Sequence, residues 1–147
     1  CGDGGLSMLL GDLATLMQYQ YPVKIFVFNN RSLAMVKLEM EVSGYLDWQT
    51  NMINPPFDKL AELMNIKGYE VTKTEDLEAT VKAAFEYDGP TLVNIYTNRD
   101  TLAMPPHITF EQMKGFATNI IKKIGQGDFA EAKDSIANSM KHIKDIF

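Results

Sequence analysis

Two short apolar runs, Val23–Phe28 (VKIFVF) and Thr91–Thr97 (TLVNIYT), constrain this chain more than any other feature. The first stops at Asn29-Asn30 and the second follows the turn Asp88-Gly89-Pro90. Both are rich in β-branched and aromatic residues and too short for a typical helix, so they read as strands, the first of them buried. Tyr69–Thr72 reads as a third. Helical patterns fill the gaps. Leu6, Leu9, Leu10, Leu13, Leu16 and Met17 recur at three and four and predict one helix, ended by Pro22. Leu33–Val42 and Glu75–Tyr87 predict two more, the former broken at Ser43-Gly44-Tyr45. In Asn54-Pro55-Pro56 the asparagine reads as a cap and the prolines as first-turn residues of a helix whose inner face is Phe57, Leu60, Ala61 and Met64. Strands alternating with helices imply an α/β fold, a parallel sheet with helices on both faces.

With 147 residues, 46% of them hydrophobic, the chain can bury one sizeable core. A net charge of -5 leaves no basic footprint and argues against nucleic acid as a partner. The single cysteine, Cys1, excludes an internal disulfide and fits a reducing, cytoplasmic setting. No apolar run approaches the roughly 18–20 residues of a membrane span.

The tail has its own pattern. Thr109 and Gln112 have capping-box spacing, and Phe110, Met113, Phe116, Ala117, Ile120, Ile121 and Ile124 form a stripe that predicts a docked helix. Beyond Gly125-Gln126-Gly127, a second stripe runs through Phe129, Ala132, Ile136, Met140, Ile143 and Phe147. The expected organisation is a domain over 1–127 and an amphipathic helix over 128–147. That helix either packs on protein or lies on a membrane surface. Elsewhere, Met8, Met17, Met64 and Met113 read as core filling, Trp48 as a packing or interface residue, and His107 and His142 as structural or surface residues.

The opening CGDGGLSM carries the chemistry. Asp3, flanked by Gly2, Gly4 and Gly5 just before a helical pattern, sits where exposed backbone N–H groups can receive a phosphate. A carboxylate beside a phosphate needs a cation between them, and magnesium takes such oxygen ligands. Asn30, just past the first strand, reaches the carboxyl end of the sheet, where α/β folds bind ligands. Asn29 reads as a strand-terminating turn residue. Alone, Asp3 is equally a cap or turn residue.

GDG, residues 5–28 and then NN together resemble the thiamine-diphosphate motif. LAMVKLEMEVSGYL, NPPFDKLAELMNIKGYEV, DGPTLVNIYT and LAMPPHITFEQMKGF follow in an order similar to the C-terminal cofactor domain of pyruvate oxidases and pyruvate:quinone dehydrogenases. The resemblance implies that Asp3, the Asn30 side chain and the Ser32 carbonyl ligate magnesium, and that Gly2, Gly4 and Gly5 border the diphosphate. It places Met35, Val36 and Glu39 at the substrate end of the pocket; Glu39 also reads as a solvated helix residue. The pattern departs from the family at Ala34 and Met35, where glycine and a bulky aromatic are usual.

The implied reaction is decarboxylation of pyruvate on thiamine diphosphate, then oxidation by FAD with quinone or oxygen as acceptor. The resemblance puts the proton-relay glutamate and the flavin domain ahead of this motif, so Cys1 reads as a cut just after a first strand, and these residues alone are expected to be inactive. It also implies a homo-oligomer, dimer or tetramer, with peripheral membrane contact through the last helix as one option. Two other classes stay open: an acetolactate synthase-type transferase, which Leu33-Ala34-Met35-Val36 also resembles, and a non-catalytic membrane-docking or regulatory fragment.

Overall fold

The structure, a computed structural model, describes residues 1–99 and 109–146, with side chains as far as 137. His107 and the Leu102–Ile108 part of the closing motif lie outside the described residues, as do the side chains of His142, Met140 and Ile143 and all of Phe147. In chain order the helices are α1 (Asp3–Met8), α2 (Leu13–Tyr19), α3 (Ala34–Val42), α4 (Phe57–Leu63), α5 (Leu77–Glu86), α6 (Phe110–Gln126) and α7 (Phe129–Ile146); the strands are β1 (Lys24–Asn29), β2 (Lys67–Val71) and β3 (Thr91–Tyr96). The chain divides into two compact units. The first joins Cys1–Ser32 to Met52–Thr97, and the second joins Leu33–Asn51 to the described residues from Asn98 onward.

The first unit is the expected α/β fold, a parallel sheet in the order β1-β3-β2. Because side chains alternate along a strand, the sheet builds two cores. Val27, Ile25 and Leu92 pack with Leu6, Leu13, Phe57, Ala61 and Ile66 on one face, where α1, α2 and α4 supply the cover. Val93, Ile95, Val71 and Phe26 pack with Ala84 and Leu77 of α5 on the other. Gly68 of β2 permits the closest approach, since a Cβ there would stand 2.2 Å from the Asp58 carbonyl oxygen of α4.

The single helix expected over Leu6–Met17 is two. Leu9 leaves helical geometry (φ -123°, ψ 23°), and a 3₁₀ turn over Leu10–Asp12 carries Gly11 and Asp12, both poor helix formers. Leu6, Leu10, Leu13 and Leu16 still reach one core, whereas Leu9 and Met17 of the same pattern are exposed. Only Met64 of the four methionines fills it: Met8 is 80% exposed, and Met17 and Met113 are also exposed.

In the second unit the capping box forms as expected, with Gln112 N–H donating to Thr109 Oγ1 at 3.3 Å and Thr109 N–H to Gln112 Oε1 at 2.9 Å. The docked face of α6 is not the apolar stripe. Phe110 is 74% and Ile121 69% exposed, whereas Asn119 and Lys123 are buried. Two contacts force this. A Cβ on Gly115 would lie 1.9 Å from the Val42 carbonyl oxygen, so backbone meets backbone there. Lys123 Nζ then reaches the fully buried Glu41 Oε1 of α3 at 2.7 Å and Ser135 Oγ of α7 at 3.3 Å. Ala132 of α7 is buried, while Phe129 and Ile136 are exposed. Trp48, read from sequence as a packing or interface residue, is 73% exposed.

Candidate functional site

The site begins with strand pairing. Phe28 N–H donates to the Cys1 carbonyl at 2.9 Å, and Gly2 bridges Phe28 in parallel register. Parallel partners end at the same edge of a sheet, so Asp3 and Asn30 emerge together at its carboxyl end. Asp3 is buried. Its Oδ2 accepts from Arg31 N–H at 2.8 Å and from Asn54 Nδ2 at 2.7 Å, and its Oδ1 accepts from Gly4 N–H at 3.0 Å. Three donors thus hold one carboxylate in one orientation, and it lies in the first turn of α1, where the helix dipole favours negative charge.

Asn30 closes the other side. Its Oδ1 accepts from Ser32 N–H at 3.0 Å, an Asx turn that curls the loop after β1. Arg31, between them, takes a left-handed φ of 56° and sets its guanidinium 5.0 Å from the Tyr96 ring centre. The Ser32 hydroxyl is buried with no hydrogen-bond partner among the described residues.

These residues fit magnesium and a diphosphate. Asp3 Oδ1 and Asn30 Oδ1 each accept one hydrogen bond among the described residues and have a second lone pair. A carboxylate, an amide oxygen and the Ser32 carbonyl form the hard oxygen set that magnesium takes beside phosphate oxygens. Among the described residues no group of three or more His, Cys, Asp or Glu gathers to hold a metal. Gly2 and Gly5 bear on the diphosphate. Neither has a left-handed φ, and a Cβ at either would meet nothing within 4 Å. No described contact requires glycine there, which leaves open backbone for a ligand to approach.

Of the predicted site residues, the structure brings Asp3, Gly4, Asn30 and Ser32 into one hydrogen-bonded loop cluster, with Gly2 and Gly5 flanking it. Met35, Val36 and Glu39 belong to the second unit, on the exposed side of α3; its buried side is Lys37, Leu38, Glu41 and Val42.

Two sequence readings are corrected. Asn54 is not the cap of α4, whose N-cap is Pro56 with no side-chain hydrogen bond; its amide goes to Asp3 and to Asn29. Asn29 is not a turn residue but the buried end of β1, bonded to Asn54 and Asn94. Both were missed because their partners are distant in sequence and leave no local periodic signal.

The family described as "Thiamine pyrophosphate enzyme, C-terminal TPP binding domain" matches residues 1–95. The Bacillus subtilis (strain 168) protein named "Putative thiamine pyrophosphate-containing protein YdaP" is 33% identical over 147 residues, covering 100% of this chain and 25% of that protein. The acetolactate synthase large subunit of Pyropia yezoensis is 30% identical over 122 residues (79% of this chain, 21% of that protein). The mitochondrial acetolactate synthase catalytic subunit of Saccharomyces cerevisiae is 33% identical over 105 residues (71% and 15%). The chain spans a quarter or less of the length of these curated relatives. With the family motif matched and its acidic residue clamped against the loop after β1, the chain belongs to the thiamine pyrophosphate enzymes, as their C-terminal cofactor-binding domain.

Proposed function

We propose that the full-length protein oxidatively decarboxylates pyruvate with thiamine diphosphate and magnesium, passing two electrons to FAD and on to quinone or oxygen. The observation that carries the cofactor part is the Asp3 carboxylate held on the Asn30-Arg31 peptide at the end of β1. In this reading Asp3, Asn30 and the Ser32 carbonyl hold the cation, and the N–H groups of Gly4 and Gly5 face the diphosphate. Met35, Val36 and Glu39 contact substrate. Thiamine diphosphate, when bound, supplies the electron sink for the pair left as carbon dioxide departs. Water or phosphate then takes the acetyl group, giving acetate or acetyl phosphate.

The oxidative branch is supported by the resemblance of MPPHITFEQMKGF to its closing segment. The names of the acetolactate synthase relatives favour a second reading, the joining of two pyruvate units into acetolactate. Both readings share the decarboxylation step and a homo-oligomeric, cytoplasmic enzyme. Among the described residues no helix is long and apolar enough to cross a membrane. The exposed Phe129 and Ile136 support a peripheral membrane contact through α7; equal liposome flotation with and without residues 128–147 contradicts it.

The test is pyruvate-dependent bleaching of flavin absorbance in the full-length protein, stripped of cofactors and resupplied. Bleaching in wild type that is lost in Asp3→Ala is expected. Acetolactate without bleaching selects the second reading.

A further inference from the structure

We propose that Asn54 is a positioning residue for the Asp3 carboxylate, and that Asn29, Asn94 and Asp58 are the buried support that orients Asn54. The proposal rests on the cofactor-site reading above and concerns how this chain prepares that site.

The observation is a continuous chain of side-chain hydrogen bonds running from the site across the sheet. Asn54 Nδ2 donates to Asp3 Oδ2 at 2.7 Å and to Asn29 Oδ1 at 2.9 Å, using both of its hydrogens. Asn29 Nδ2 donates to Asn94 Oδ1 at 3.0 Å, and Asn94 Nδ2 to Asp58 Oδ1 at 3.3 Å. Asn29, Asn94 and Asp58 are all buried.

Chemistry fixes the direction of every bond. An ionised carboxylate only accepts, so Asn54 turns its nitrogen to Asp3 and Asn94 turns its nitrogen to Asp58. Asn29 then has one arrangement left, oxygen to Asn54 and nitrogen to Asn94. Flipping any amide would set two donors or two acceptors face to face inside the protein, where an unpaired polar group is costly. The far end is held by packing. Gly68 lets α4 press against β2, and Asp58, in the first turn of α4, has Lys59 Nζ as an ion-pair partner at 3.8 Å. Without Asn54, Asp3 would keep only the backbone N–H groups of Arg31 and Gly4.

A chain like this could instead serve folding alone, and metal affinity separates the two roles. Mg²⁺ is titrated calorimetrically into the cofactor-free full-length protein at saturating thiamine diphosphate, for wild type, Asn54→Ala and Asn54→Ser. The melting temperature of each cofactor-free protein is measured alongside. Loss of an outer-shell partner weakens metal binding about 10- to 100-fold. Asn54→Ala is expected to weaken Mg²⁺ binding about tenfold, and Asn54→Ser less, because its hydroxyl retains one donor. If the alanine variant does not fold, the serine variant carries the test with a several-fold loss. Mg²⁺ affinity within twofold of wild type in every variant that folds overturns the proposal, whatever the melting temperatures do. Absence of Mg²⁺-dependent binding in wild type overturns the cofactor-site reading and the proposal with it, whereas equal binding in wild type and variants removes the positioning role alone.

Discussion

Both units bury polar side chains, and they do it with opposite chemistry. The first lays neutral amides between two carboxylates, Asn54, Asn29 and Asn94 joining Asp3 to Asp58. The second buries a direct ion pair, Lys123 with Glu41. Amides fix direction without adding charge, so the Asp3 charge remains available to a cation brought by a ligand. The ion pair neutralises itself and is spent on holding α6 and α7 to α3. Next to the site the supporting side chains are neutral amides, with the charged Asp58 set at the far end of the chain; where helices are registered, the ion pair itself makes the contact.

That contrast is broken most sharply at Lys123. Lys123→Met leaves Glu41 buried without a cation, and denaturant unfolding should show a loss of about 3–5 kcal/mol. Adding Glu41→Leu should recover most of it, since replacing both ions with apolar groups is often neutral or better. No recovery would mean that the pair itself supplies the stability. Gly115→Ala and Gly68→Ala probe the close approaches behind each device. A Cβ at either position meets backbone at 1.9 Å or 2.2 Å, and each substitution should destabilise by about 1–3 kcal/mol. Gly68→Ala should in addition weaken Mg²⁺ binding through Asp58, whereas Gly115→Ala should leave it unchanged; equal effects of the two on Mg²⁺ would erase the distinction between the units. The smallest effect is Thr109→Ala, which removes the α6 cap and should lower stability by about 1 kcal/mol, read as a small fall in melting temperature.

The sequence was legible where the signal is local. β1 and β3 follow from apolar runs between turn residues, and the capping box from its spacing. It was misleading where a local rule competed with a distant partner. Asn54-Pro55-Pro56 satisfies the rule for a helix start, yet Asn54 bonds Asp3, 51 residues away. The stripe on α6 was identified correctly as apolar, but amphipathicity names a face and not what covers it. One glycine and one lysine, Gly115 and Lys123, decided which side docks. Leu9 and Met17 show the same limit: both fit the helical period but lie outside the face that α1 and α2 bury, and Met8, read as core filling, is exposed too.

The claim that everything else depends on is that Asp3 and Asn30 form a magnesium and diphosphate site. Calorimetric titration of thiamine diphosphate into the cofactor-free full-length protein, with Mg²⁺ and with chelator, in wild type and Asp3→Ala, tests it directly. The account predicts tight binding that requires Mg²⁺ in wild type and affinity reduced by about tenfold or more in Asp3→Ala. Binding that is independent of Mg²⁺, or equal in the two proteins, would contradict it.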